Sequence, residues 1–70
     1  MTENPSILWA QYAKQNDEAY NKIMIDVAKR GKFRRTHLKI IQKQIEESIR
    51  YADMRRHKHW TEMLGWFEND

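Results

Sequence analysis

Cysteine is absent from this chain of 70 residues, which excludes disulfides and thiolate metal sites and makes the fold indifferent to redox state. Proline occurs once and glycine twice, too few for the many turns of a β fold. With 33 % of residues charged, that balance predicts long helices. No apolar run approaches the eighteen or so residues that cross a bilayer. Met1, Thr2, Glu3, Asn4 and Pro5 form neither a basic nor an apolar leader. A soluble, cytoplasmic chain with no membrane partner is the expectation. A core of this size contributes only a few kcal/mol, so a homo-oligomer or a bound partner is expected to reinforce it.

The catalytic inventory is equally short. There is no cysteine nucleophile, no Gly-rich phosphate loop and no motif of paired carboxylates, and the serines are Ser6 and Ser48 alone. Asp53 and His57, four apart, share a helical face, but His57 and His59 point roughly 200° from each other on a regular helix. Two ligands do not make a centre. No enzyme, no metal and no cofactor are expected.

What is present is helical punctuation and periodicity. Asn4 followed by Pro5 is a helix start, and Gly31 after Lys29 and Arg30 is a left-handed cap. Between them Trp9, Tyr12, Ala13, Ala19, Tyr20, Ile23, Met24 and Val27 gather on one side at 100° intervals, opposite Gln11, Lys14, Glu18 and Lys22. Asn16 falls inside that stripe, as a layer-edge residue, as one facing a partner side chain, or as the register-setting Asn of a helical dimer.

Thr36 can cap a second helix. From there Leu38, Ile41, Ile45, Ile49, Ala52, Met63 and Phe67 form a coiled-coil-like seam, with a thinner row of Ile40, Tyr51 and Met54 elsewhere. Arg56 projects into the middle of the seam and His59 lies at its edge. The fold expected is an all-α antiparallel helical hairpin, over about 5–29 and 36–67, in one domain spanning 1–70. Its second helix either continues or kinks near 55–59 to give a three-helix arrangement. Unkinked, that helix would overhang its partner by roughly 10 Å, leaving Trp60, Met63, Leu64, Trp66 and Phe67 to dock on a second copy, fold back, or grip another protein.

Two interaction surfaces are therefore expected. One, for a protein partner, is Tyr51, Trp60, Met63, Leu64, Trp66 and Phe67, with the indoles of Trp9, Trp60 and Trp66 gathered at the open end of the hairpin. The other is the hairpin tip, where Lys29, Arg30, Lys32, Arg34, Arg35 and Lys39 surround Phe33 and His37. Cations around an aromatic suit phosphates with a stacking contact, and equally suit an acidic protein. The leading expectation is a helical protein that binds and inhibits or adapts another protein. In size it is comparable with the accessory proteins by which phages and mobile elements redirect host machinery. The alternative is a small basic nucleic-acid-binding regulator that uses the 29–39 tip.

Overall fold

The computed structural model describes residues 5–69 and is all-helical: α1 (Pro5–Arg30), α2 (Arg35–Arg50) and α3 (Met54–Asn69). The expected cap at Asn4 lies outside the described residues. At its other end α1 stops where expected. Gly31 takes φ 79°, its N–H donates to the Val27 carbonyl at 2.6 Å, and Lys29 and Arg30 lie in the last turn, where cations suit the exposed carbonyls.

The second helix begins one residue before the expected Thr36 boundary. Arg34 is the extended N-cap residue (φ −126°, ψ 168°), and its carbonyl accepts from the N–H groups of His37 and Leu38. His37, three residues on, reaches back so that Nδ1 accepts from the Arg34 N–H at 3.1 Å. This is the geometry of a capping box with an imidazole in place of a carboxylate.

Residues 36–67 do not form one helix, and the break falls at Tyr51, Ala52 and Asp53 rather than at 55–59. Its cause is a Schellman cap: the Ala52 N–H donates to the Ile49 carbonyl at 3.0 Å and the Asp53 N–H to the Ser48 carbonyl at 2.8 Å. Ala52 occupies the left-handed position at φ 54°, where glycine is usual. Asp53 then caps α3, accepting the Arg56 N–H on Oδ1 at 3.1 Å. One residue thus closes one helix and opens the next. Ile49 and Ala52, expected in the seam, end up exposed because the helix whose periodicity placed them there stops.

The turn reverses the chain, so α3 packs closely along α2 and returns to the tip. Phe67 there meets Phe33 edge-on, with ring centroids 6.1 Å apart. The pairs Tyr12 with Tyr51, Asn16 with Gln44 and Asp26 with His37 set α1 antiparallel to α2. Helix α1, at roughly 39 Å against roughly 24 Å for α2 and α3, overshoots the turn by its first residues.

The apolar core occupies the half of the bundle nearer the tip. Ile23, Ile41, Trp60 and Met63 are fully buried, surrounded by Ala19, Tyr20, Met24, Val27, Phe33, Ile40, Ile45, Leu64 and Phe67. Ile40, assigned to a surplus outer row, is part of this shell. The half nearer the turn has a polar interior. Asn16 Nδ2 donates to Gln44 Oε1 at 2.8 Å, both side chains buried, and the buried Ser48 hydroxyl donates to the Ile45 carbonyl at 2.7 Å. Asn16 therefore faces a partner side chain of its own chain.

Candidate functional site

The turn end is organised by Asp53. Its Oδ2 accepts from Arg56 Nη1 at 2.9 Å and from the Tyr12 hydroxyl at 3.1 Å, and Arg56 Nη2 reaches Asp17 at 3.4 Å. Burial acts to raise the Asp53 carboxyl, but the hydrogen bonds from Arg56 and Tyr12 outweigh it and hold the group below the usual carboxylate range. Burial, followed by the neighbouring Asp53 charge, pushes the Tyr12 phenol up to about 12. Arg56, expected as an interruption of the seam, closes this network instead.

Aromatic rings extend it outward. Tyr51 stacks on Tyr12 with centroids 4.5 Å apart, Trp9 meets Tyr12 edge-on at 6.0 Å, and the Arg56 guanidinium lies 5.4 Å from the Trp9 ring. Around this frame four large apolar side chains are exposed: Ile7 is 54 % exposed, Trp9 44 %, Ile49 62 % and Met54 69 %. Those side chains come from the projecting start of α1 and the two flanks of the turn. Beside them an open groove between α1 and α3 is lined by Asn16, Asp17, Tyr20, Arg55, Arg56 and His59, with side-chain contacts from Arg56 to Asp17 and from Tyr20 to His59.

The opposite end is the basic tip. Between Asp26 and Glu46 there is no acidic residue. Lys29, Arg30, Lys32, Arg34, Arg35 and Lys39 are all exposed, and among the described residues none forms an ion pair. The acid nearest the tip is engaged elsewhere. Asp26 Oδ2 lies 3.1 Å from His37 Nε2 and 3.6 Å from Lys22 Nζ; the hydrogen bond from His37, opposed by burial and assisted by Lys22, lowers the Asp26 carboxyl. Because His37 Nδ1 accepts from Arg34, the ring hydrogen is assigned to Nε2, which donates to Asp26.

Several expected site residues are placed elsewhere than the sequence suggested. Trp60 and Met63 are fully buried in the core, and Leu64 and Phe67 pack against it, so the proposed overhang folds back and these four hold the bundle together. Of that set Trp66 remains half exposed and Tyr51 partly so, at opposite ends of the molecule. The three indoles do not gather: Trp9 is at the turn end, Trp60 in the core, and Trp66 on the turn of α3 that returns to the tip. At the tip itself His37 is buried and Phe33 packs inward against Phe67 and His37, so neither is a free stacking platform. Tyr51 was expected at a protein-binding surface, but its joining with Trp9, Tyr12, Asp53 and Arg56 in one frame was not, since the members come from two stretches, 9–12 and 51–56, far apart in sequence. Asp53 three residues before Arg56 was its one local signal.

Among the described residues no three of His, Asp and Glu gather as a metal-binding group, and no helix is long and apolar enough to cross a membrane. No family model matches the chain, and no curated protein or solved structure matches it.

Proposed function

We propose that this chain is a non-enzymatic interaction protein that binds another protein through its turn end and thereby inhibits or adapts it. One observation carries the reading. In this half of the bundle the arrangement is inverted, with amide, hydroxyl, carboxylate and guanidinium groups inside and Ile7, Trp9, Ile49 and Met54 outside. Large side chains left in water forgo about 1.5–3 kcal/mol each of burial, and a partner seated here would recover it. Trp, Tyr and Arg dominate binding energy at interfaces. Here Trp9, Tyr51 and Arg56 are already held by stacking and hydrogen bonds, which lowers the entropy cost of association. A single small domain of this kind suits an accessory protein that blocks a larger machine by occupying one of its surfaces. The same apolar end would also serve to join two copies.

Site-specific photo-crosslinking tests this directly. The full chain carrying a crosslinking residue at Met54 should label one protein in an extract of its own cell, and Trp9→Ser should abolish that labelling. A crosslinker at Glu62, on the exposed face of α3, should not label it. Equal labelling from both positions would show non-specific adhesion and defeat the proposal. Adducts between copies alone would recast the protein as a self-assembling one.

A further inference from the structure

The tip is a second surface, and the fold accounts for only some of its charges. Lys29 and Arg30 complement the carbonyl end of α1, where cations are favourable. Arg34 and Arg35 have the opposite placement. They stand at the N-cap and first position of α2, whose first turn holds no acidic residue, and a cation there opposes the helix dipole by some tenths of a kcal/mol or more. Lys32 and Lys39 add exposed charge beside them, and among the described residues neither forms an ion pair. The rest of the chain carries the acids. The seven Lys and Arg between positions 27 and 45 leave six against all ten Asp and Glu, so a net +7 segment faces a remainder of −4, which sums to the overall +3.

From this segregation we infer that the tip binds the phosphate backbone of a nucleic acid, through Lys32, Arg34, Arg35 and Lys39, without reading bases. Two arginines at a helix N-terminus present guanidinium forks and the positive end of the dipole to the same anion. The inward packing of Phe33 and His37 removes the aromatic platform that reading unstacked bases would need. The partner chemistry is therefore repeated phosphodiester charge, and the contact is independent of the protein-binding end some tens of ångströms away.

Four phosphate contacts give a salt slope near −3.6, so affinity for a 20-base-pair duplex of mixed sequence should fall roughly 100-fold between 50 and 200 mM salt. Fluorescence anisotropy with the full chain measures this. Arg34→Glu combined with Arg35→Glu should abolish binding at 50 mM salt. Lys32→Gln combined with Lys39→Gln, which touches only exposed side chains, should reduce the slope by about two, and Trp9→Ser should leave binding unchanged. Helicity by circular dichroism confirms that each variant is folded. Two sequences of different composition should bind equally. Absence of duplex binding at 50 mM salt would overturn the inference. So would a slope unaffected by the lysine pair, or equal binding to polyglutamate or to anionic vesicles, which would make the tip a general or a protein-directed cation patch.

Discussion

The two halves of this bundle are built on opposite plans. Near the tip the interior is mainly apolar, with His37 as its buried polar side chain, and the surface carries cations that form no ion pair among the described residues, beside exposed Ile25 and Trp66; near the turn the interior is hydrogen-bonded and Ile7, Trp9, Ile49 and Met54 lie on the surface. The difference separates residues that the fold uses from residues that it merely tolerates. Asp53 and Arg56 are used, each bonding to more than one element. Arg34 and Arg35 are exposed and form no ion pair among the described residues, and Met54 and Ile49 leave most of their side chains in water.

The most severe way to break the turn half is Asp53→Ala. It removes the α3 cap, worth about 1 kcal/mol, and leaves the Tyr12 hydroxyl without its acceptor and Arg56 with Asp17 alone, at about 1–3 kcal/mol for the buried hydroxyl. A loss of about 2–4 kcal/mol is expected in urea denaturation, a large share of the stability of so small a domain. Asp53→Asn, which keeps a capping oxygen, should lose less. Carboxylate titration repeats the test without mutation. Since Asp53 is held below its unfolded value, its contribution is present above about pH 4 and drains away as pH falls through the folded value.

Alkali gives the next effect. The Tyr12 phenol rises from 10.0 to about 12 on folding, so the neutral form is favoured in the native state. The stabilisation is complete below pH 10 and declines between pH 10 and 12, by about 2–3 kcal/mol at about 1.36 kcal/mol per unit. Tyr12→Phe should flatten that decline relative to the native chain. A comparable stability profile for the two above pH 10 would show that folding does not raise the phenol, by burial or by the Asp53 charge.

Asn16→Leu should cost about 1–3 kcal/mol, because Gln44 would keep its buried amide without a donor. Replacing both residues by leucine should recover much of that loss. It should also test what the polar layer is for. If stability returns but the helices slip, Asn16 and Gln44 set the register of α1 against α2.

How far the sequence announced these halves follows from how local their signals are. The bounds of α1 and the cap at Gly31 were legible because Pro5, Lys29, Arg30 and Gly31 punctuate them independently of tertiary contacts. The tip cations were legible for the same reason. The turn at 51–53 was not, since its left-handed residue is an alanine and neither glycine nor proline marks it. Once that break is missed, α3 appears to continue past its partner, and Trp60, Met63, Leu64 and Phe67 look like a surface. The Trp9 frame depends on residues some forty positions apart, which periodicity along one helix cannot bring together.

Ala52→Gly sharpens this point by a smaller amount. At φ 54° a β-carbon crowds the following carbonyl, at a cost of about 1–2 kcal/mol, whereas glycine enters that region freely and gives back part of the gain through the entropy of its unfolded chain. A net stabilisation of about 0.5–1 kcal/mol is expected, with the fold unchanged. The tip should respond more weakly still. Arg35→Glu puts an anion where α2 favours one, so it should stabilise the bundle by about 0.3–1 kcal/mol at low salt, with the gain shrinking as salt rises. If the same variant also weakens duplex binding, the arginine is present in spite of the fold, because a contact outside the chain requires it. If it destabilises the bundle instead, Arg35 serves the fold after all, and the contrast between the two halves fails at the end where it is drawn most sharply.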